Sequence, residues 1–238
     1  MPAPTTLGVP PENRLLAALS RMEYERLVPH LERVHFPQGK VLYEVGDLVR
    51  RAYFPMRGMI SLLSITKDGG TTEVAMVGRE GVVGVPIILR VGIIPYRSMV
   101  QIPVDALSIK AEALRAEFDR SAQLRDLLLR YTHALLTQVS QSAVCNRFHT
   151  VDARLSRWLL VTRDRVGSDS FQLTQELISH MLGTPRTVVT VAANKLQDAG
   201  LIRYKRGNIK ILNPQRLQAV ACECYEVVIK EISHFFAA

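Results

Sequence analysis

The alternation of apolar and polar positions divides the chain into stretches of different texture. Over 15–36, Leu15, Leu16, Leu19, Leu27 and Leu31 recur at near-helical spacing and predict helix. Over 40–110 the apolar runs become short and strand-like: Val41-Leu42-Tyr43, Ala52-Tyr53-Phe54, 59–65, 72–77, 99–102 and Leu107-Ser108-Ile109. Turn signals separate them, among them Val45-Gly46-Asp47, Lys67-Asp68-Gly69-Gly70 and Gly78-Arg79-Glu80-Gly81, so a small barrel or sandwich is expected. Over 121–148 there is neither Gly nor Pro. Leu124, Leu127, Leu128, Tyr131, Leu135, Val139 and Ser142 then line one side of a long helix, and that stripe needs a partner.

The stretch 173–212 carries the sharpest local signals. Thr174 caps a helix starting at Gln175, with Glu176 in its first turn and Leu177, Ile178, Met181 and Leu182 as its apolar stripe. Gly183 ends that helix, Thr184 caps the next, Pro185 takes its first position and Gly200 closes it. Leu201-Ile202-Arg203-Tyr204 and Ile209-Lys210-Ile211-Leu212 alternate like strands around a Lys205-Arg206-Gly207-Asn208 turn. Two short helices around a Gly turn, followed by a basic hairpin, describe a winged helix-turn-helix, a module that reads duplex DNA.

At about 100° per residue the second helix sorts its faces. Val189, Ala192, Ala193 and Leu196 fall on the inner side, whereas Arg186, Thr187, Thr190, Asn194 and Asp198 fall on the other, with Val191 and Lys195 at its edge. Arg186, Thr187, Thr190, Val191 and Asn194 are therefore the expected base-reading residues: Arg can bridge a guanine edge, Asn an adenine edge, and Val can touch a thymine methyl. Thr174, Lys195, Arg203, Lys205 and Arg206 are the expected contacts to the DNA backbone. The competing reading of the second helix is a solvated face on an ordinary helix pair.

Charge agrees with that assignment. The chain of 238 residues carries 30 Lys+Arg against 22 Asp+Glu, a net charge of +8, and the stretch 199–212 holds four basic residues and no acid. Residues 1–13 are Pro-rich, with no early basic cluster and no apolar core, and do not look like a targeting segment. The apolar run 82–94 is interrupted by Pro86 and Arg90 and is too short to span a bilayer. Three cysteines make no disulfide framework, so a reducing cytoplasm is expected. Cys222 and Cys224 are two apart and would not share a helix face; no second Cys pair completes a four-ligand zinc site. The expectation is three buried small hydrophobes and no metal or cofactor, with a redox or metal switch as the alternative. No histidine falls between 40 and 110, which argues against a metal-dependent barrel enzyme, and no nucleophile-elbow motif is present.

A β-roll, a long helix and a winged helix-turn-helix, in that order, resemble the Crp/Fnr superfamily of bacterial regulators over nearly the whole chain. The most specific segments are Arg154-Leu155-Ser156-Arg157-Trp158-Leu159-Leu160, similar to that family's first DNA-domain helix, and 173–212. Tyr53-Phe54-Pro55, Val77-Gly78-Arg79-Glu80-Gly81-Val82-Val83-Gly84 and Cys222-Glu223-Cys224-Tyr225 resemble a branch whose effectors are mostly undefined.

The resemblance implies an α+β fold: a β-roll sensor of the cyclic-nucleotide-binding, jelly-roll type over 1–120, a dimerisation helix over 121–149 and a winged helix-turn-helix over 150–238. It implies a cytoplasmic, sequence-specific transcription regulator, not an enzyme, that binds double-stranded DNA as a homodimer without entering a membrane. RNA polymerase and a small effector are further partners that the family admits. Because half-sites are read by two-fold dimers, Leu124, Leu128, Tyr131, Leu135 and Val139 are expected to form the subunit seam. The alternative is an intramolecular core helix.

Two motifs depart from the cyclic-AMP receptors of that family. Their ribose-binding Gly-Glu pair reads Gly84-Val85-Pro86 here, whereas Arg97-Ser98 stands where their phosphate-binding pair would be. Gly84, Arg97 and Ser98 are the candidate effector residues, with a plain exposed charge as the alternative for Arg97. The receptors' Arg-Glu-x-x-x-Arg reads Arg186-Thr187-Val188-Val189-Thr190-Val191, so a different operator is expected. Their oxygen-sensing relatives use an N-terminal cysteine cluster, but no Cys precedes Cys145 here. The competing function is a ligand-binding regulatory subunit that acts through protein contacts, with a degenerate DNA domain.

Overall fold

The computed structural model describes residues 12–237. It opens with two short helices, α1 (Arg14–Ala17) and α2 (Arg21–Leu27), capped by the side chains of Asn13 and Ser20. A 3-10 turn follows, and then the expected helix gives way to a strand, β1 (Glu32–Phe36). The antiparallel sheet of the roll is completed by β2 (Val41–Tyr43), β3 (Arg51–Ile65), β4 (Thr71–Val77) and β5 (Arg97–Lys110). Its order is β1-β5-β3-β4, with β2 also pairing to β5.

Four of the short runs expected from sequence merge into two long strands. β3 and β5 stay paired through register shifts between Pro55 and Ile60. There Gly58 has φ 80° and its Cα lies against Pro103 so closely that an added Cβ would sit 1.9 Å from the Pro103 carbonyl oxygen. The bulges let one strand serve two cores. Ile60 and Leu62 point into the roll, whereas Met59 and Leu63 join Met76 on its outer face.

Helices α3 (Val85–Ile88) and α4 (Ala111–Arg120) lead to α5 (Ala122–Phe148), which Ser121 caps by accepting from Leu124 N. Leu124, Leu128 and Tyr131 are buried in the core of the roll, and Leu135 and Val139 pack partly against it. Of the residues expected at a subunit seam, Leu124, Leu128 and Tyr131 are thus spent on the core of their own chain, whereas Leu135 and Val139 keep part of their surface exposed. Tyr131 also donates its hydroxyl to Val82 O at 3.1 Å, and an added Cβ on Gly81 would sit 2.4 Å from its ring. The Gly78-Arg79-Glu80-Gly81 turn thus owes its glycines to close approach of α5 and of the next helix.

That next helix is α6 (Val151–Val166), ended by Gly167 in the left-handed region. Its buried face, including Leu155, Trp158 and Leu159, packs against both the roll's outer Met59, Leu63 and Met76 and the two helices of the expected helix-turn-helix. A buried ion pair crosses the same boundary: Arg165 Nε donates to Glu80 Oε1 at 2.8 Å, and Arg165 also donates to Gln138 of α5 at 2.8 Å. The chain continues through β6 (Ser170–Gln172), α7 (Gln175–Leu182), α8 (Arg186–Asp198), β7 (Ile202–Lys205) and β8 (Asn208–Ile211) to α9 (Pro214–Val220) and α10 (Cys224–Ala237). α10 returns along α5. Phe235 meets Tyr131 edge-on at 6.0 Å, and Glu231 pairs with His133 at 2.8 Å. No helix among the described residues is long and apolar enough to cross a membrane.

Candidate nucleic-acid interface

Local chemistry sets the helix pair. Thr174 accepts a hydrogen bond from Leu177 N at 3.2 Å, starting α7 at Gln175. Gly183 ends it with φ 55°, and space there is short, because an added Cβ would lie 3.1 Å from Thr72 of the roll. The second helix starts one residue later than expected. Pro185, not Thr184, occupies its N-cap with extended geometry, and no side chain caps it. Arg186 is consequently the first residue of α8, at the positive end of the helix.

The faces of α8 follow the sequence pattern. Val189, Ala192, Ala193 and Leu196 are buried, whereas Arg186, Thr187, Val191 and Asn194 are exposed. Thr190 is half-buried, and its hydroxyl hydrogen-bonds to Gln175 Oε1 at 2.8 Å, so it helps to join the two helices as well as facing outward. Lys195 is exposed but paired with Asp152 of α6 at 3.0 Å, which leaves less of its charge for a phosphate.

β7 and β8 form the wing, with a two-residue turn at Arg206 (φ 50°) and Gly207 (φ 77°) between the paired Lys205 and Asn208. Positive φ at both turn residues suits the right-handed twist of a hairpin. Sequence reasoning missed the third strand: β6 pairs with the far side of β8, so the sheet order is β6-β8-β7. Arg203, Lys205, Arg206 and Lys210 are exposed on this sheet. Leu173 N donates to Gly207 O at 2.7 Å and Tyr204 donates its hydroxyl to Leu173 O at 3.0 Å, which fixes the wing to the start of α7.

Thr174, Gln175, Arg186, Tyr204, Arg206 and Gly207 consequently line one open groove between wing and helices. Two helix N-termini and two guanidinium groups converge there, an arrangement that attracts a phosphodiester backbone. Gln175 and Tyr204 were not singled out in the sequence; their places next to a cap and a wing turn are the signals that could have found them.

The three effector candidates lie on two parts of the roll, Gly84 just before α3 and Arg97-Ser98 at the start of β5. Arg97 is partly exposed, and its Nε donates to Glu44 Oε2 at 2.8 Å in a surface ion pair. Ser98 is fully buried and its hydroxyl has no partner among the described residues. Gly84 has φ 127°, and an added Cβ there would lie 2.9 Å from that of Ala52, so its place in the fold already requires glycine.

The outer face of α5 bears a second, thinner apolar row. Leu129 and Leu136 lie seven residues apart at 45% and 62% exposure, and Val144 and Phe148 continue it at 42% and 73%. At about 100° per residue Leu129 and Leu136 lie well round the helix from the buried Leu124 and Tyr131, on a separate face. The three cysteines are buried, as expected, but they are not dispersed. They converge with His149, a grouping that sequence spacing did not reveal.

The comparisons with known proteins agree with this architecture. The family model for the Crp-like helix-turn-helix domain matches residues 153–220, and that for the cyclic nucleotide-binding domain matches residues 33–121. The global nitrogen regulator of Synechococcus elongatus is 23% identical over 215 residues, covering 87% of this chain and 96% of its own. The CRP-like cAMP-activated global transcriptional regulator of Mycobacterium tuberculosis is 24% identical over 198 residues, covering 80% of this chain and 88% of its own. Among solved structures, a transcriptional regulator of the Crp/Fnr family from Eubacterium rectale superposes with a TM-score of 0.67 at 19% identity, covering 88% of this chain and 98% of that one.

Proposed function

The chain belongs to the Crp/Fnr superfamily of DNA-binding transcription regulators, and from that premise we propose that it reads a two-fold operator as a homodimer. The observation that carries this reading is the exposed polar face of α8 beside the basic wing. Arg186, Thr187, Val191 and Asn194 stand free to meet base edges, with Thr190 beside them held by Gln175. Thr174, Arg203, Lys205 and Arg206 surround them where phosphates would run, and Lys195 reaches a phosphate only by leaving Asp152. The subunit seam is assigned to Leu129, Leu136 and Val144, the apolar row that the described residues leave uncovered on α5.

Such a regulator acts in the cytoplasm and meets RNA polymerase at the promoters it controls. The β-roll carries the effector function, and its effector differs from that named for the M. tuberculosis relative, because Val85 offers no acceptor to a ribose and Arg97 is held by Glu44. Selection of genomic fragments with the purified protein, followed by binding measurements over a salt series, tests the proposal. Affinity for the selected fragment orders of magnitude above that for random DNA, with a steep salt slope, supports it. Equal, weak binding to both makes the chain a regulatory subunit that acts through protein contacts.

A further inference from the structure

Four metal-ligating side chains meet where the long helix ends and the last helix begins. Cys145 lies in the last turn of α5, and His149 is its C-cap, four residues on. Cys222 sits in the link between α9 and α10, before the helix starts, and Cys224 is the first residue of α10. The rule that residues two apart on a helix face different ways therefore does not apply to this Cys-x-Cys pair. The three Sγ atoms and one ring nitrogen of His149 all lie within 4.8 Å of one another. Cys145 Sγ is 3.5 Å from Cys222 Sγ, and Cys224 Sγ is 3.4 Å from His149 Nδ1.

The two short separations match two edges of a single tetrahedron, and all the others lie within 4.8 Å, so a small inward movement of the side chains closes the rest. With Zn–S near 2.3 Å and Zn–N near 2.0–2.1 Å, tetrahedral ligand atoms stand about 3.5–3.8 Å apart. A multi-iron cluster distributes its thiolates over several irons and is not accommodated by ligands this close. Thiolate and imidazole donors in a tetrahedron select zinc over magnesium or calcium, which prefer oxygen.

The surroundings are those of a thiolate site. Arg154 and Arg157 of α6 are buried beside the cysteines, and the Nε of each has no hydrogen-bond partner among the described residues. Two cations at this place offset the net negative charge of three thiolates around a dication. Gln141 Nε2 donates to Cys224 Sγ at 3.1 Å. His149 Nε2 lies 3.2 Å from Glu223 Oε1, so the ring turns Nδ1 toward the cysteines and gives its other nitrogen to a carboxylate, the outer partner typical of a metal-bound imidazole. Nothing in the DNA-reading surface requires any of this.

We propose that Cys145, His149, Cys222 and Cys224 bind one zinc ion as a closed Cys3His site that fastens α10 to the end of α5. All four positions are filled by protein, so the metal is structural. The site ties the C-terminal end of the DNA-binding domain to the helix that joins it to the β-roll. α10 is fastened a second time by Phe235 and Glu231, nearer the roll.

The test uses the full chain, purified without chelator from zinc-supplemented medium. Elemental analysis is expected to give about one zinc per chain. Cobalt exchanged into the protein should show the strong visible bands of a tetrahedral thiolate-bound ion. The thiols should resist Ellman's reagent until the metal is removed. Cys222→Ser and His149→Ala should lose zinc, whereas Glu223→Gln should keep the site with roughly ten- to hundredfold weaker affinity. Three results overturn the proposal: freely reactive thiols with no metal bound even after zinc addition, a Cys145–Cys222 disulfide in the fresh protein, or iron with cluster absorbance. The metal content and the cobalt spectrum of the unmodified chain decide the matter even where a variant does not fold.

Discussion

Trp158 Nε1 donates a hydrogen bond to Glu73 Oε1 at 2.8 Å, joining the first helix of the DNA-binding domain to the β-roll. Ser61 donates to the other carboxylate oxygen at 2.5 Å, and Arg157 and Arg165 of α6 stand near enough to favour the anion. Burial outweighs these donors and pushes the Glu73 carboxyl up to about 7.

A pH dependence follows from that buried carboxyl. Its folded value lies above its unfolded one, so the folded state holds the proton more tightly. Stability is then greatest below about pH 4.5 with respect to this group, falls as pH rises toward 7, and levels off above. The span is of the order of 3 kcal/mol at most. Glu73→Gln keeps a neutral acceptor for Trp158 and should flatten this part of the profile, raising Tm at pH 8 relative to the parent. Thermal melts from pH 5 to pH 8 check it; parallel profiles for the two proteins would place the titration elsewhere.

The two faces of α5 make opposite predictions. Leu128→Asp puts a charge into the core of the roll at a cost of several kcal/mol and should yield misfolded protein. Leu136→Asp alters a residue 62% exposed within its own chain, so the fold should survive while the dimer dissociates. Sedimentation and circular dichroism on both variants check this. A folded, still dimeric Leu136→Asp protein would move the seam away from the outer face.

What the sequence revealed and what it concealed divide along the range of the interactions. The helix pair and wing were legible because Thr174, Gly183 and the Arg206-Gly207 turn act on their immediate neighbours. The extent of α5 was legible from Ser121 and the absence of helix breakers. Its partner was not, because an apolar stripe looks the same whether it faces a roll or a second subunit. β3 and β5 were each read as two runs, since Pro55, Gly58 and Pro103 look like breaks and act as bulges. The cysteine–histidine cluster was hidden because Cys145 and Cys222 are 77 residues apart and Cys222 precedes its helix.

At the DNA surface, Arg186 and the wing should behave differently. Arg186→Ala should cost about 1–3 kcal/mol at one operator position and relax specificity there. Neutralising Lys205 and Arg206 together should weaken specific and random DNA alike and lower the salt slope by about two units. Binding isotherms on operator variants over a salt series separate these. Uniform loss with Arg186→Ala would make it a phosphate contact, and an unchanged slope would take the wing out of the interface.

Cyclic AMP should not act as the effector of this protein. Where related receptors place a carboxylate for the ribose hydroxyls, Val85 is buried and apolar at the start of α3. Arg97, where a phosphate-binding arginine would stand, already shares its charge with Glu44 at 2.8 Å, which weakens its pull on an entering phosphate. A site that lacks the polar partner for a ligand hydroxyl loses most of its discrimination for that ligand. Calorimetry with cyclic AMP and cyclic GMP should therefore show no tight binding, and operator affinity should be unchanged by either. Glu44→Gln supplies the control: freeing Arg97 should allow weak anion binding without restoring nucleotide selectivity. Micromolar binding of cyclic AMP to the unmodified protein, coupled to a gain in operator affinity, would refute the prediction, because coupling between the two sites is what defines an effector.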